Sequence, residues 1–500
     1  MKFVKQLELL TQAETPQERA VAEFYILEPF CLMRGWRGIP FSLLHSKLGT
    51  MINLSELELN AAKICNGHVD VNCFAVTPSL RKAVQNLFRL GYAKRCEYGT
   101  NLLPLQQFQS FDMPFRPTIK WAITGRCNMK CKHCFLSAPE AKFGELSHEE
   151  CMRVIEEMPK AGIYRVALTG GEPLVRPDFF ELVDAMRERN IKVTTIATNG
   201  LLINERFIGK LLDRGMKPNI YMSYDGTEGW HDWLRGMDGA EKMLLSKFEM
   251  LAKHGFHIGS AMTIHNLNKG VLRDSVNRLS SVGVKHVIMN RMTSFGEWKK
   301  YGQDFNITPQ ELYEAYFEYL PHFYEDGMPV MLTMNRLYKN DGAGCADYSI
   351  PYVKQCSTCS EATCLSAQAN AYIAADGSLM PCLPVASQEP PCLKMPNVRD
   401  GLIAALNDTS YCHTVDQTHE AYFNKNPNCR ACKYAKDCMG GCRANALQGD
   451  PNNYLSRDLE ACMFFHNEYP RRLIELIKTV APEAKCLNYS PEKSRNMLEG

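Results

Sequence analysis

The sequence predicts an α/β protein built around a partial (β/α)6 TIM-like barrel, with a winged-helix-like module before it and a cysteine-rich domain after it. Three observations predict this arrangement. Residues 118–293 alternate strand and helix patterns six times, residues 30–96 show short strands followed by helices, and twelve of the 21 cysteines lie within residues 345–462. At roughly 100–200 residues per domain, a chain of 500 residues has room for two to four domains.

The barrel is predicted from six short, apolar and β-branched segments, the pattern of parallel strands that are buried on both faces. They are TIKWAIT, YRVALTG, KVTTIAT, NIYMSYD, HIGSAMTIH and KHVIMNRM. The segments between them carry apolar residues at helical spacing, and several of these predicted helices end at a glycine, as at Gly162, Gly215 and Gly255. Six units without a closing pair favour a partial barrel, placed at residues 117–335, over a complete eight-unit one.

Residues 1–100 are predicted to form the winged-helix-like module. FCLMRGW, PFSLLHS and MINL are predicted strands, and Ser55 then opens a helix in which Glu58 completes a capping box. Thr77 and Pro78 begin a second helix, and YAKRC is a candidate last strand. The turn-rich residues 101–116 are predicted to be a linker.

Composition argues against several classes of function. The formal net charge of +2 gives no support to a nucleic-acid partner. The N-terminal segment lacks the apolar core of a signal peptide, and no apolar run approaches the roughly 20 residues that span a bilayer. We therefore expect a cytoplasmic protein without a membrane partner, and the sequence leaves its oligomeric state open.

The cysteines are unevenly distributed, with none between residues 152 and 344. Because a cytoplasmic compartment keeps thiols reduced, this clustering favours metal ligation over disulfides. Five cysteines in the first third of the chain are instead predicted to be small buried hydrophobic residues. They are Cys31, Cys65, Cys73, Cys96 and Cys151.

The first metal-binding motif is the C-x3-C-x2-C sequence formed by Cys127, Cys131 and Cys134, directly after the first barrel strand. Three thiolates on one loop can hold three irons of a four-iron cluster and leave the fourth iron open for a ligand. The loop follows the carboxyl end of a strand, where the active sites of barrels form. A zinc site that lacks one ligand is the alternative interpretation.

This spacing, with His133 before the last cysteine, resembles that of radical S-adenosylmethionine (radical SAM) enzymes. One unit later, Gly170, Gly171, Glu172 and Pro173 are similar to the motif that binds the methionine amino group of S-adenosylmethionine in that superfamily. The resemblance implies a reduced [4Fe-4S] cluster that cleaves S-adenosylmethionine to a 5′-deoxyadenosyl radical, which takes hydrogen from a substrate. Taken alone, the glycine-rich segment would be interpreted as a turn.

Polar residues at the next strand ends are further candidates for contacts with S-adenosylmethionine, because successive strand ends face one cleft. Asn199 follows the third strand, and Ser223 and Asp225 end the fourth. Arg235 is a candidate partner for the methionine carboxylate, and Ser223 and Asp225 are candidates for the carboxylate or the ribose. Turn and helix-cap roles are the alternative for each residue taken singly.

The order of the later cysteines resembles the SPASM extension of radical SAM enzymes, which binds two auxiliary [4Fe-4S] clusters. The resemblance implies a C-terminal cysteine-rich cluster-binding domain at residues 336–470, followed by a helix and a tail at 471–500. It assigns one auxiliary cluster to Cys429, Cys432, Cys438 and Cys462. It assigns part of the other to Cys364, Cys382 and Cys442.

The second auxiliary cluster needs an eighth cysteine from just upstream. Cys359 is our choice for that role, and Cys356 is the rival. Zinc is the alternative metal, because paired C-x2-C elements also suit a tetrahedral zinc site. Four cysteines stay unassigned, namely Cys345, Cys392, Cys412 and Cys486.

The winged-helix-like module resembles the leader-recognition element of ribosomal-peptide maturases, in its strand–strand–strand–helix order and its segment INLSELELNAAKICNGHVDV. Such a module binds an extended leader as an added strand on its sheet edge. DNA binding by the same fold is the alternative, and the near-neutral charge argues against it. We therefore predict a radical SAM peptide maturase that abstracts hydrogen from a precursor peptide with a leader and installs a thioether or another crosslink. A one-electron reductant such as flavodoxin or ferredoxin is the other expected partner.

Two other functions compete with peptide crosslinking. Anaerobic sulfatase maturases, which oxidise Cys or Ser to formylglycine, also carry SPASM domains, but an Asp follows their corresponding Cys, whereas Leu383 follows Cys382 here. A non-enzymatic cluster-binding scaffold or electron carrier is the second alternative, and Gly170–Pro173 argues against it. The sequence identifies neither the catalytic base nor the modified residue, and it does not separate thioether formation from carbon–carbon crosslinking or epimerisation.

Overall fold

The computed structural model describes residues 2–12, 22–46, 50–136, 138, 144–301, 305–354 and 358–490. The chain divides into two units. The first comprises Met1–Pro117 with Pro159–Tyr164, and the second comprises Thr118–Met158 with Arg165–Gly500. None of the helices in the described ranges has the length and apolar character needed to cross a membrane.

The first unit contains the predicted winged-helix elements and several more. Its helices are α1 (Lys2–Gln12), α2 (Glu56–Ile64) and α3 (Pro78–Arg89). Its strands are β1 (Tyr25–Leu27), β2 (Cys31–Arg37), β3 (Ile39–His45), β4 (Thr50–Asn53), β5 (Ala93–Arg95) and β6 (Gln109–Pro114). Strands β2, β3 and β4 correspond to the three predicted strands, and they are antiparallel neighbours. Both predicted helix caps are present, at Ser55 and at Thr77.

Residues 101–116, for which the sequence predicts a linker, contain β6, and β6 pairs in parallel with β2. The resulting four-stranded sheet has the order β4-β3-β2-β6, so β4 is the strand at its other edge. The side chain of Gln106 also donates to the carbonyls of Leu27 and Glu28. This segment is therefore part of the first unit and not an open connection.

The second unit is built on one eleven-stranded sheet. Its strands are β7 (Thr118–Ala122), β8 (Arg165–Thr169), β9 (Lys192–Thr198), β10 (Asn219–Ser223), β11 (Ile258–Ile264), β12 (His286–Arg291), β13 (Met331–Met334), β14 (Tyr338–Asn340), β15 (Tyr348–Ser349), β16 (Asn370–Ile373) and β17 (Leu379–Met380). Their order is β15-β14-β13-β12-β11-β10-β9-β8-β7-β16-β17. Strands β7–β12 correspond to the six predicted segments and are parallel neighbours in chain order, which confirms the predicted fold class.

Two strands outside the predicted barrel units extend the parallel part of the sheet. Strand β13 pairs in parallel with β12, and β16 pairs in parallel with β7. Antiparallel strands then flank them, β14 and β15 at one end and β17 at the other. The cysteine-rich region thus contributes β16 and β17 to the same sheet that carries the barrel strands.

Helices connect the parallel strands, because such strands need crossover connections. They are α4 (His148–Lys160), α5 (Phe179–Glu188), α6 (Glu205–Asp213), α7 (Trp230–Arg235), α8 (Ala240–Lys253), α9 (Leu272–Ser281) and α10 (Pro309–Glu325). Each buries one apolar face; in α5 that face includes Leu182, Val183 and Met186. This layer fixes the ends of the strands from which the candidate site is built.

The cysteine-rich region is made mostly of short helices. They are α11 (Leu365–Ala369), α12 (Leu383–Ala386), α13 (Leu402–Leu406), α14 (Thr409–Val415), α15 (His419–Lys425), α16 (Pro427–Arg430), α17 (Ala435–Cys438), α18 (Arg443–Gly449), α19 (Leu459–His466) and α20 (Tyr469–Val480). The predicted C-terminal helix is α20. Residues 485–488 then lie along β15, where the amide of Tyr348 donates to Lys485 and the amide of Leu487 donates to Tyr348. Residues 491–500 of the predicted tail lie outside the described residues.

Candidate active site

The residues predicted to bind a cluster and S-adenosylmethionine follow neighbouring parallel strands. The cysteine loop follows β7, Gly170–Pro173 follows β8, Asn199 follows β9, and Ser223 ends β10. Because the carboxyl ends of parallel strands meet at one edge of a sheet, all four segments share that edge. The candidate site is therefore assembled by the sheet from segments that are far apart in sequence.

The three cysteines of the first motif are half-buried and unpaired by disulfides. Burial raises the pKa of Cys127 to about 11, and the nearby Cys131 and Cys134 raise it further. Burial also raises the pKa of Cys134. A bound metal opposes these effects, since a coordinating thiol is deprotonated. The three thiols are thus close enough to interact, as ligands of one cluster must be.

Two polar side chains reach the sulfur atoms of this loop. The Asn199 Nδ2 lies 3.7 Å from Cys127 Sγ, and the same nitrogen donates to Asn128 Oδ1 across 2.7 Å. The Arg235 Nη1 lies 3.6 Å from Cys131 Sγ. Hydrogen bonds of this kind orient a metal ligand and tune the metal that it holds.

A site for a single metal ion is not found in the described part of the chain, where no three His, Cys, Asp or Glu side chains converge to coordinate one ion. A four-iron cluster places a looser demand on the protein, because each cysteine binds a different iron. The arrangement of Cys127, Cys131 and Cys134 fits that demand.

The two glycines of the second motif allow close packing against the strand that leads into the cysteine loop. A Cβ on Gly170 would lie 2.4 Å from the carbonyl oxygen of Thr124, and one on Gly171 would lie 2.2 Å from that of Arg126. The amide of Gly171 donates to Thr124 and the amide of Glu172 donates to Arg126. The glycines therefore approach the chain itself, and they fix the cysteine loop relative to β8.

Glu172 is completely buried, and its carboxylate accepts three hydrogen bonds from the protein. The donors are the Thr198 hydroxyl at 2.8 Å, the Asn199 amide at 2.6 Å and the Leu174 amide at 3.0 Å. Burial raises the pKa of Glu172 to about 7, against the opposing effect of these hydrogen bonds. The sequence predicts the Glu172 carboxylate as an acceptor for an amino group, whereas in the structure it joins the ends of β8 and β9. Pro173 begins a single 3-10 turn just after it.

Asp225 and Arg235, two further predicted contacts of S-adenosylmethionine, form a buried ion pair with each other. The Arg235 Nη2 and Nε lie 2.6 and 2.8 Å from Asp225 Oδ2, and Asp225 Oδ1 accepts from the Thr263 amide. Burial alone would raise the pKa of Asp225, but the Arg235 guanidinium holds it well below its usual range. Asp225 and Arg235 therefore bind each other, and Arg235 also contacts the cysteine loop.

Ser223 differs from these residues, because no hydrogen bond from its half-buried hydroxyl to another described residue is present. It lies at the carboxyl end of β10, beside the buried Asp225. Of the predicted contacts on β10, Ser223 is therefore the side chain with free hydrogen-bonding capacity toward a ligand.

From the sequence alone, His133 has no predicted role beyond its place in the motif. The Nδ1 atom of His133 is buried without a hydrogen-bond partner in the described structure. Burial, together with the charge of Arg235, lowers its pKa to about 3, so the ring is neutral. Its neighbours His231 and His265 come from α7 and from the end of β11. This grouping depends on tertiary packing, and no spacing of residues in the sequence predicts it.

Four later cysteines line one small cleft, and they are the four that the SPASM resemblance assigns to one auxiliary cluster. They are Cys429, Cys432, Cys438 and Cys462. The Tyr422 hydroxyl donates to Cys429 Sγ across 3.2 Å, and His466 Nε2 lies 3.8 Å from Cys432 Sγ. The cleft therefore brings together a complete set of four thiols that fits a four-iron cluster.

The second auxiliary set is also brought together. Cys364, Cys382 and Cys442 are the N-cap residues of the short helices α11, α12 and α18. Burial raises the pKa of Cys382 to about 12, and Cys442 and Cys364 contribute to the rise. All three thiols also act on the pKa of the buried Tyr454, so they surround one point.

The predicted eighth ligand is less well placed. Cys359 is exposed, and its carbonyl accepts from the Glu420 amide, but no described contact joins it to Cys364. Its rival Cys356 lies outside the described residues. Among the cysteines expected to be buried hydrophobic residues, Cys31, Cys65, Cys73 and Cys151 are buried and Cys96 is half-buried.

A cavity lies beside the cysteine loop at the carboxyl ends of β7 and β16. Gly125, Phe135 and Leu136 of the loop form one wall. Residues that follow β16, with the Cys382 helix and the loop after it, form the others; they include Ala375, Asp376, Met380, Ala386, Glu389, Pro390 and Leu393. Its volume is about 390 Å³, which lies within the range of pockets that hold small ligands or amino-acid side chains.

Comparison with known proteins identifies the domain that carries the first motif. Residues 121–279 match the model of the radical SAM superfamily. The chain is 28% identical over 242 residues to the antilisterial bacteriocin subtilosin biosynthesis protein AlbA of Bacillus subtilis, covering 47% of this chain and 52% of AlbA. It is 34% identical over 170 residues to the mycofactocin maturase MftC of Mycobacterium ulcerans, covering 33% of this chain and 45% of MftC.

A third relative has a different product. The chain is 34% identical over 159 residues to the Fe-coproporphyrin III synthase of Methanosarcina barkeri, covering 32% of this chain and 39% of that protein. The matches thus span about two fifths to one half of the length of these relatives. The relatives thus include a bacteriocin biosynthesis protein, a mycofactocin maturase and an Fe-coproporphyrin III synthase.

Solved structures show the same fold over more of the chain. Streptococcus suis SuiB bound to precursor peptide SuiA matches with a TM-score of 0.61 at 16% identity, covering 88% of this chain and 100% of that chain. The structure of anSMEcpe with bound AdoMet matches with a TM-score of 0.53 at 19% identity, covering 73% of this chain and 99% of that chain. These likenesses show a shared fold, and in this chain a cysteine-rich region follows the segment that matches the radical SAM superfamily.

Proposed function

We propose that this protein is a radical SAM peptide maturase, which cleaves S-adenosylmethionine reductively and abstracts hydrogen from a ribosomally made precursor peptide. The observation that carries the proposal is the placement of Cys127, Cys131 and Cys134 at one sheet edge with Gly170–Pro173. When bound there, a four-iron cluster supplies the electron that breaks the carbon–sulfur bond of S-adenosylmethionine.

The side chains around the cysteine loop have distinct proposed roles. Arg235 and Asn199 orient the thiols of Cys131 and Cys127 through their hydrogen bonds. Gly170 and the residue after it hold the loop against β8. Ser223 donates its free hydroxyl to the carboxylate or ribose of S-adenosylmethionine. Asp225 and Arg235 do not share this role, because they are bonded to each other.

The cysteine-rich region is proposed to hold two auxiliary [4Fe-4S] clusters. One lies in the cleft of Cys429, Cys432, Cys438 and Cys462. The other lies among Cys364, Cys382 and Cys442, with Cys359 as the proposed fourth ligand in preference to Cys356. The mutual effect of Cys364, Cys382 and Cys442, of which the first and last both raise the pKa of Cys382, supports this second assignment.

The first unit is proposed to bind the leader of the precursor peptide as an added strand on β4. Strands β4 and β6 are the two edge strands of this sheet, and β4 is the edge proposed for the leader. Backbone hydrogen bonds to such an edge give affinity, and pockets for alternate side chains give specificity. The fold likeness to SuiB, whose structure contains its precursor peptide, supports this assignment.

The cavity beside the cysteine loop is the proposed place for the residue to be modified. Its walls are largely apolar, with Phe135, Leu136 and Met380 among them, and it opens at the same sheet edge as the cysteine loop. The product would be a thioether or another crosslink within the peptide. A one-electron carrier such as flavodoxin or ferredoxin is the proposed reductant.

Formylglycine formation is the weaker candidate. The residue after Cys382 is Leu383, which begins α12 and offers no carboxylate as a base. The residues assembled at the strand ends argue against the second alternative, a scaffold without catalytic activity.

Anaerobic reconstitution with iron and sulfide, followed by incubation with S-adenosylmethionine and a chemical reductant, tests the proposal. We expect 5′-deoxyadenosine to form in the wild-type protein. Its absence under these conditions would overturn the enzymatic assignment. Tandem mass spectrometry of a candidate precursor peptide and of a sulfatase-derived peptide then distinguishes the two products, because a crosslink joins two residues, whereas formylglycine is an aldehyde at a single residue.

A further inference from the structure

Asp458 lies between the two sets of auxiliary cysteines. Its side chain is buried, with 1% of it exposed, and it lines the cleft that contains Cys438 and Cys462. It is also in direct contact with the backbone of Cys442, which belongs to the other set. In the described structure one carboxylate thus touches both predicted cluster sites.

One oxygen of the Asp458 carboxylate, Oδ2, is hydrogen-bonded to the segment that contains Cys442. Oδ2 accepts from the amide of Cys442 across 2.8 Å. The preceding residue, Gly441, makes this approach possible, because a Cβ there would lie 2.6 Å from Asp458 Oδ2 and the backbone has a φ of +70°. The glycine is therefore required by the contact between Asp458 and the Cys442 loop.

The other oxygen of the Asp458 carboxylate, Oδ1, is hydrogen-bonded to the helix that contains Cys462. Asp458 is the N-cap of α19, and Oδ1 accepts from the Ala461 amide across 3.0 Å, while the Asp458 carbonyl accepts from the amide of Cys462. A cap fixes the first turn of a helix, so it fixes the position of Cys462.

The negative charge of Asp458 is held in place by neighbours outside both cysteine sets. The Tyr352 hydroxyl donates to Oδ2 across 3.3 Å, and Arg336 Nη1 lies 3.9 Å from the same oxygen. Arg336 in turn donates to the Tyr352 hydroxyl across 2.8 Å. The carboxylate therefore keeps one orientation, with one oxygen toward each cysteine set.

We propose that Asp458 is a positioning residue that sets the spacing of the two auxiliary clusters and the electrostatic environment of the cluster at Cys438 and Cys462. The inference rests on the two auxiliary clusters of the proposed function. Outer contacts of metal ligands are worth about 10–100-fold in metal affinity, and charge near a cluster shifts its reduction potential. Loss of Asp458 should therefore affect both auxiliary sites at once.

The test compares Asp458→Asn with Glu460→Gln in the full-length, reconstituted protein. Glu460 is a matched control, because it is buried two residues away in the same helix turn but accepts from Tyr313, Arg291 and Asn445 and not from a cysteine segment. Iron per chain, the EPR signals of the reduced auxiliary clusters and their reduction potentials are measured. The cleavage of S-adenosylmethionine checks that each variant is folded.

We expect Asp458→Asn to lose auxiliary iron at an about 10-fold lower chelator concentration than wild type, and to shift both auxiliary EPR signals, with S-adenosylmethionine cleavage retained. Glu460→Gln should keep the wild-type signals. Equal behaviour of the two variants, whether both unchanged or both impaired, would overturn the role of Asp458 alone. If the wild-type protein shows no auxiliary signals, the auxiliary clusters of the proposed function and the role of Asp458 fall together.

Discussion

The guanidinium of Arg235 lies between a carboxylate and a thiol, with its Nη2 2.6 Å from Asp225 Oδ2 and its Nη1 3.6 Å from Cys131 Sγ. Helix α7, which Arg235 ends, also accepts from the Lys132 amide through the carbonyl of Leu234. The cysteine loop is therefore held from outside the motif that defines it, by a helix that follows the fourth barrel strand.

We expect Arg235→Gln to weaken iron retention at the first site by about 10-fold or more, because Cys131 loses its donor. The change also leaves Asp225 buried without its charge partner, which typically costs about 3–5 kcal/mol. Chelator challenge followed by iron determination, and denaturant unfolding, measure the two effects. Arg235→Lys should be intermediate, since it keeps the charge but not the planar fork.

The control for this prediction is Arg214→Gln, which removes a partly exposed ion pair with Asp184 that has no described contact with a cysteine. It should change iron retention very little. Wild-type iron retention in Arg235→Gln would show that the contact with Cys131 has no influence on the cluster.

Removal of single cysteines should separate the cluster functions. We expect Cys127→Ala to abolish the cleavage of S-adenosylmethionine, because the remaining two thiols of that loop cannot hold the cluster. Cys438→Ala should keep at least part of that cleavage and block product formation. The formation of 5′-deoxyadenosine and of modified peptide are measured side by side.

Cys151→Ala is the matched control for both variants, because Cys151 is a fully buried free cysteine in α4 that belongs to none of the three sets. It should retain both activities. Full product formation without Cys438 would contradict the proposed role of its cluster.

Glu172 should make the stability of the protein depend on pH. Burial raises its pKa from 4.5 to about 7, so between these values the carboxyl ionises in the unfolded chain before it does so in the folded one. Its contribution therefore destabilises the folded chain progressively as the pH rises through this window, by up to about 3 kcal/mol.

Glu172→Gln should remove this dependence, although it also weakens the bonds from Thr198 and Asn199 at every pH. The measured quantity is the change in the free energy of unfolding between pH 4.5 and pH 7.5 for each protein, compared between them. Glu181→Gln, on the exposed face of α5, serves as the reference substitution. An identical pH response in wild type and Glu172→Gln would refute the assignment.

The open edge of β4 provides a test of leader binding. The Leu54 amide donates to Phe41, so in the alternating antiparallel ladder with β3 the amide of Met51 points away from the partner strand. Met51→Pro removes that outward donor and is tolerated at an edge strand. We expect it to weaken the binding of a leader peptide, as measured by fluorescence anisotropy with a labelled peptide.

Met51→Ala is the control, because it shortens the side chain but keeps the backbone donor. It should bind nearly as well as wild type. Deletion of residues 1–100 should abolish binding, and undiminished affinity after that deletion would exclude this unit as the leader site.

The sequence allowed some elements to be predicted because their signals are local. Strands β7–β12 are continuous apolar segments, and the side chains of Ser55 and Thr77 each cap a backbone amide only three residues away. The cysteine sets could be grouped by resemblance to a known extension. Each of these features can be recognised without knowing what packs against it.

Other elements could not be predicted, because their stability comes from distant partners. Strand β6 forms beside β2, and β16 beside β7, through pairings between segments far apart in sequence. The sequence places Arg235 and Asp225 near the site, but their bond to each other depends on the direction in which α7 leaves β10. The grouping of His133 with His231 and His265, and the contacts of Asp458, likewise appear only when separate segments are packed together.

The segment that contains Lys485 and Asn488 has a consequence for how the protein avoids self-association. It occupies the outer side of β15, where the Asn488 side chain also donates to the carbonyl of Ile350. An uncovered strand at the end of a sheet is a template onto which another molecule can add by backbone pairing. By placing its own chain there, this protein closes one end of its largest sheet to aggregation.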